Sequence, residues 1–132
     1  MSNGVLSFPP QGKSLLTKHS LHCLVFFVPG NPGLVDFYEP FLSALRRRLD
    51  QSREGVVFHL VGYSLAGFQD DDHEPFTATD PPFDLAHQIR VTYDRVSALR
   101  VAHGPSQGEP FDAVLLVGRM RPHFRRFLLF DY

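Results

Sequence analysis

Residues 21–34, Leu-His-Cys-Leu-Val-Phe-Phe-Val-Pro-Gly-Asn-Pro-Gly-Leu, decide the fold. Residues 21–28 are rich in β-branched and aromatic side chains, and Pro29-Gly30 ends the run. A short apolar run closed by a turn former predicts a buried strand. The two Pro-Gly units around Asn31 predict a stiff, tight loop at the carboxyl end of that strand.

Two more apolar runs and two periodic segments follow. Residues 55–62 and 112–118 are predicted as buried strands. Residues 36–50 and 84–103 are predicted as helices, because their apolar side chains recur at spacings of three and four. These side chains are Phe37, Phe41, Leu45 and Leu49 in the first helix, and Leu85, Ile89, Tyr93, Val96 and Leu99 in the second. The alternation of strands and helices predicts the α/β class, with a parallel sheet and right-handed crossovers.

The ends of the predicted elements carry their own signals. Pro40 fits only the first turn of its helix, where a missing N–H costs nothing. The arginines at 46–48 favour a helix C-terminus through the macrodipole. Residues 1–19 are predicted as an irregular lead-in with room for one short hairpin strand, and residues 119–132 as a divergent basic tail without an assigned element.

Composition limits the class of protein. The chain has 132 residues and a net charge of −1, so it is one domain at most and no polyanion binder as a whole. Its one cysteine, Cys23, permits no intrachain disulfide and fits a reducing compartment. The longest strongly apolar run, residues 24–28, is too short to span a bilayer, and the start does not resemble a signal peptide. Any contact with a membrane is therefore expected to be peripheral.

Two segments suggest ester chemistry, each with a simpler interpretation. Backbone N–H groups in the loop Gly30–Gly33 can point at a developing oxyanion, although an ordinary strand-to-helix turn has the same sequence signals. Residues 62–67, Gly-Tyr-Ser-Leu-Ala-Gly, resemble a nucleophile elbow around Ser64. The second glycine is displaced by one position, and three aspartates follow instead of a helix, so a loop serine is favoured over a nucleophile.

No cofactor or metal is expected. The acidic run 70–74 lacks the spacing of a calcium loop, and neighbouring strand residues such as His22 and Cys23 point to opposite faces, so they do not converge on an ion with His19. No glycine-rich phosphate loop is present. Four arginines in the tail are weak evidence for contact with nucleic acid or anionic lipid, and no nucleic-acid partner is predicted.

Residues 26–45, with Pro-Gly-Asn-Pro-Gly followed by Phe-Tyr and Pro-Phe, resemble the opening of the lipid droplet-associated hydrolase family. Residues 62–68, and Phe83-Asp84-Leu85 with Gln88-Ile89, are similar to later parts of the same family, in the same order. The resemblance implies a serine hydrolase of the α/β-hydrolase fold, with residues 1–118 as its N-terminal part. It also implies hydrolysis of a lipid or sterol ester, a role in lipid storage, and a place at the lipid droplet or endoplasmic reticulum. Apart from the resemblance, the expected location is cytoplasmic. Gly30, Asn31 and Gly33 would form its oxyanion loop.

The resemblance breaks where the nucleophile would stand. The family pattern Gly-His-Ser-x-Gly is replaced by Gly118-Arg119-Met120-Arg121-Pro122. A thioether cannot form an acyl ester, so Met120 cannot replace the serine. Only 12 residues follow Met120, and the late acid and histidine of the triad are not among them. The expectation is an inactive, truncated product of a shifted reading frame, a retained intron or mis-splicing.

The sequence is also compatible with two alternative functions. One is a non-catalytic module that binds lipid or a partner through its phenylalanines and basic tail. The other is a hydrolase with Ser64 as an unusual nucleophile. In either case the third apolar strand would have one uncovered edge unless the tail folds back over it, which predicts a marginal, aggregation-prone chain.

Overall fold

The computed structural model describes residues 4–10, 20–30, 33–51, 55–66 and 85–118, together with the backbone of residues 128–130. These residues form one five-stranded sheet with two α-helices. The elements are β1 (Val5–Phe8), β2 (Leu21–Val28), a 3-10 helix (Val35–Tyr38), α1 (Glu39–Asp50), β3 (Val56–Tyr63), α2 (Leu85–Ala98), β4 (Ala113–Gly118) and β5 (Leu128–Phe130).

The sheet is mixed, with the strand order β1-β3-β2-β4-β5. The three predicted buried strands are confirmed, and β2 pairs in parallel with both β3 and β4. The prediction of a wholly parallel sheet is wrong at both edges, where β1 and β5 pair antiparallel. Each edge strand has only three or four residues, too few for the sequence pattern to identify it as a strand and so to predict its pairing.

The two short edge strands lie in the segments before and after the predicted elements, residues 1–19 and 119–132. β1 lies in the lead-in and pairs with β3 from Val5 to Phe8. In the tail, Leu128–Phe130 pairs with residues 114–116 of β4, which confirms that part of the tail covers this edge. Backbone groups of β4 that would otherwise be unpaired are thereby hydrogen-bonded.

α1 covers one face of the sheet, but with a different set of side chains from the predicted one. Val35, Tyr38 and Leu42 are buried against β2 and β3, whereas Phe37 and Phe41 are exposed. A spacing of four exceeds the 3.6 residues of a turn, so a stripe of every fourth residue drifts about 40° per step around the helix. Only its later members, Leu45 and Leu49, reach the core.

α2 covers the opposite face, and here too the apolar stripe is only partly buried. Val96 and Leu99 pack on Leu24, Phe26 and Val114. Leu85, Ile89 and Tyr93 are exposed, and no residue of α2 is fully buried. The helix also ends at Ala98, earlier than the predicted residue 103.

Arg46 is buried, which the macrodipole argument did not anticipate. Its guanidinium donates to the carbonyl oxygens of Phe8 and Phe58 and forms an ion pair with Asp50. One side chain of α1 therefore ties the helix to β1 and β3. The first-turn position of Pro40 is confirmed, because α1 begins at Glu39.

Candidate functional site

The candidate site lies at the carboxyl edge of the parallel strands. Val28, the last residue of β2, pairs with Gly118, the last residue of β4. From β2 the chain crosses to β3 on one side, and from β3 it crosses back over β2 to β4 on the other. Neighbouring strands whose connections leave in opposite directions form the crevice where α/β sheets bind ligands. The loop that starts at Pro29-Gly30 opens at this crevice.

The far end of that loop is anchored to the segment after β3. The N–H of Leu65 donates to the carbonyl oxygen of Gly33 at 2.8 Å. The N–H of Val35 donates to the Oγ of Ser64 at 2.9 Å. Of the three residues expected to form an oxyanion loop, Gly30 and Gly33 follow β2 and Asn31 falls outside the described residues. Their role as oxyanion donors stays a prediction.

Ser64 is fixed by its backbone as well as by its hydroxyl. Its side chain is buried, with the residue 2% exposed. Its N–H donates to the carbonyl oxygen of Gly4 at 2.8 Å, and its own carbonyl accepts from the guanidinium of Arg95 at 2.7 Å. Ser64 therefore lies directly after β3 in a hydrogen-bonded segment, and the residues from 67 to 84 fall outside the described part of the chain. An attacking hydroxyl needs an open approach, which this burial does not provide.

Two polar side chains of α2 hold the same segment. The side-chain amide of Gln88 accepts from the N–H of Ala66 at 3.0 Å and donates to its carbonyl at 2.9 Å. The guanidinium of Arg95 lies 4.8 Å from the ring centre of Tyr63 while it bonds Ser64. Helical periodicity did not identify these residues, because it weighs only apolar side chains. Their spacing of seven, which puts both on one helix face, is the signal that could have found them.

A buried histidine pair lies far from this edge. His22 Nδ1 and His59 Nε2 are 2.9 Å apart, and the N–H of His22 donates to a carboxylate oxygen of Asp112 at 2.7 Å. Burial, then the charges of His22, Arg46 and His103, lowers the pKa of His59 to about 4. His59 precedes Ser64 by five residues, about 16 Å along an extended strand. Neither ring is therefore in position to take a proton from the Ser64 hydroxyl.

The described residues offer little for a metal or a thiol nucleophile. They contain no group of three or more histidine, cysteine or acidic side chains that could hold an ion. Burial raises the pKa of the Cys23 thiol, which keeps it protonated and weakly reactive. His19, the acidic run 70–74 and Met120 lie outside the described residues. Neither α1 nor α2 is long and apolar enough to cross a membrane.

Comparison with known proteins gives one family. The family described as lipid-droplet associated hydrolase matches residues 21–118, which is 98 of the 132 residues of the chain. Searches of curated proteins and of solved structures gave no significant match. The matched range runs from the first residue of β2 to the last residue of β4 and includes the whole loop and the Ser64 segment. The chain therefore belongs to the lipid-droplet associated hydrolase family.

Proposed function

We propose that this chain carries the ester-binding edge of an α/β-hydrolase for lipid or sterol esters, and that it binds such an ester without hydrolysing it. The pairing of Val28 with Gly118 carries this proposal. This pairing supports the proposal, because the loop that we propose as the source of oxyanion donors begins two residues after Val28, beside the point where the nucleophile turn of such a fold would begin.

The arrangement of the sheet supports the hydrolase fold. Three parallel strands occupy its centre, and α1 and α2 pack on opposite faces. Val28 and Gly118, after which the loop and the predicted nucleophile turn begin, then lie side by side at one edge of the sheet. An α/β-hydrolase needs its oxyanion donors and its nucleophile at one such edge, so that both can reach the same carbonyl group.

The sequence after β4 supports the absence of turnover. β4 ends at Gly118, and Met120 holds the position two residues later, where a nucleophile elbow carries serine. A thioether has no proton to lose and forms no acyl ester. An ester bound at the loop would therefore stay intact, with the backbone donors contributing to binding only.

Ester turnover and active-site labelling test this proposal together. The purified 132-residue chain is assayed on p-nitrophenyl esters of short and medium acyl length, and is incubated with a fluorophosphonate probe. We expect turnover at the buffer rate and no labelling of folded protein, with an active serine esterase as the positive control. Turnover that scales with chain concentration would overturn the proposal. Labelling lost in Ser64→Ala would instead support the alternative of Ser64 as nucleophile.

A second candidate function is a non-catalytic module that binds a lipid surface instead of an ester in the crevice. The exposed phenylalanines of the 3-10 helix and α1 favour it, because large apolar side chains in a group at the surface mark interaction sites. It predicts a peripheral position at the surface of a lipid droplet or the endoplasmic reticulum. Binding to droplets in the absence of a soluble ester would distinguish it from a function limited to the crevice.

A further inference from the structure

One face of the first helical segment combines exposed apolar side chains with exposed arginine. Phe37 is 63% exposed and Phe41 is 50% exposed. Ala44 and Arg48 are exposed as well. The spacings of four, three and four between these residues place them on one side of the helix. We refer to Phe37, Phe41, Ala44 and Arg48 as the α1 strip.

The acidic residues of α1 lie off the strip. Glu39 and Asp50 are each two positions away from the nearest strip residue, which turns them to other sides of the helix. Asp50 also pairs with the buried Arg46. The strip therefore has an aromatic half at its N-terminal end and a cationic half at its C-terminal end, where Arg47 is exposed beside Arg48.

The aromatic half adjoins the candidate site. Leu34 is exposed and directly follows Gly33, which the Leu65 N–H holds in place, and Phe37 comes three residues later. The N–H of Val35, two residues before Phe37, donates to the Oγ of Ser64, so the start of this helical segment is held by a residue of the candidate site.

We propose that the α1 strip docks on the phospholipid monolayer of a lipid droplet and turns the crevice towards it. The proposal rests on the lipid partner of the proposed function and assigns the surface that contacts it. Phenylalanine side chains enter the acyl region of an interface, while arginine extends its charged end to the phosphates. An exposed arginine pair at the end of an apolar strip suits an anionic surface.

A tryptophan reporter tests the docking directly. The chain contains no tryptophan, so the Phe37→Trp variant gives a single indole emission signal. The lipid is trioleoylglycerol droplets coated with phosphatidylcholine and phosphatidylserine. We expect a blue shift of the Phe37→Trp emission on adding droplets, and quenching by brominated phosphatidylcholine. The matched control is Tyr93→Trp, which probes the exposed face of α2 and is expected to keep its emission.

Flotation with the same droplets measures the binding itself. Phe37→Ser is expected to reduce the droplet-bound fraction about tenfold, because burial in the acyl region rewards the apolar ring and not the hydroxyl. Arg48→Ser is expected to weaken binding to phosphatidylserine-containing droplets and to change it little on phosphatidylcholine alone. Phe41 is less suitable than Phe37 for this substitution. Its ring centre lies 5.8 Å from that of the buried Phe27, so replacing Phe41 would also change the packing of the core. Circular dichroism confirms that each variant is folded.

The results separate this proposal from the proposed function. Unchanged emission of the Phe37→Trp variant with bound droplets, or equal shifts in the Phe37→Trp and Tyr93→Trp variants, would refute docking through the α1 strip. Neither readout depends on ester turnover, so hydrolysis by the chain would overturn the proposed function and leave the docking result in force.

Discussion

The Oγ of Ser64 accepts a hydrogen bond from the N–H of Val35 at 2.9 Å, although the two residues are 29 positions apart. Both are buried, Val35 completely. The bond joins the segment after β3 to the first residue of the 3-10 helix, which follows the loop 30–33. We infer that Ser64 is a positioning residue for that loop, whatever its other roles in the family.

Ser64→Ala should destabilise the chain by about 1–3 kcal/mol, because the buried Val35 N–H would lose its acceptor. Urea unfolding followed by circular dichroism measures this loss. Ser97→Ala is the matched control. The Ser97 hydroxyl is buried and has no hydrogen-bond partner among the described residues, so its removal should be neutral or stabilising. Equal losses in the two variants would show that the Ser64 bond contributes nothing specific.

Gly62→Ala should also destabilise the chain, by about 1–3 kcal/mol, through crowding. A Cβ at position 62 would lie 2.7 Å from Cγ2 of Val35, a stiff and fully buried side chain. Gly118→Ala is the control on another strand. Its Cβ would meet the Val28 carbonyl oxygen at 3.5 Å, an ordinary contact, and neither glycine has a positive φ. A fully stable Gly62→Ala variant would show that Val35 can move without cost.

Arg46→Met should cost about 2–4 kcal/mol, because it leaves the carbonyl oxygens of Phe8 and Phe58 and the carboxylate of Asp50 without their donor. Arg47→Met, one position along and exposed, should change stability by less than about 0.5 kcal/mol. Thermal unfolding of both variants gives the comparison. Similar melting temperatures would mean that water replaces the guanidinium at these groups.

Stability should fall as the pH falls through the range set by His59. Its folded-state pKa, about 4, lies below the unfolded value of about 6.5, so the unfolded chain binds the proton more readily. The contribution of neutral His59 is complete above pH 6.5 and is lost between about pH 6.5 and 4. Between about pH 7.5 and about pH 5 the loss should be about 1–2 kcal/mol.

The variant His59→Gln isolates that group. His22, Arg46 and His103 also act on this region, so a pH slope of the parent chain alone does not identify its source. We expect His59→Gln to have a much flatter dependence of unfolding free energy on pH over the same range. A slope equal to that of the parent chain would assign the effect to another titrating group.

The sequence predicted the central strands of the fold better than the contacts between its elements. β2 was predicted with its observed ends, and β3 and β4 within one residue, because buried parallel strands are continuous apolar runs bounded by turn formers. The edge strands were not assigned a direction, since three or four residues carry too little pattern. Only part of each predicted apolar stripe packs on the sheet, namely Leu45 and Leu49 in α1, and Val96 and Leu99 at the end of the second helical segment. Apolar spacing alone does not show where a helix meets the sheet.

For the candidate site, too, the sequence predicted the location and did not predict the contacts. Its position after β2 came from the Pro-Gly units, and Ser64 was singled out from its glycine neighbours. Its bond to Val35 joins residues 29 positions apart, and the Gln88 bonds to Ala66 join residues 22 apart. Such pairings depend on how the strands are ordered, which local patterns do not specify.

Within the part of the chain that the structure describes, the loop after β2 is secured from the β3 side, through Ser64 and Leu65. Neither of these bonds involves a residue beyond Gly118. A substitution beyond Gly118 therefore removes neither of these two anchors. The segment beyond β4 can be varied in an experiment while both bonds that hold the far end of the loop keep their partners.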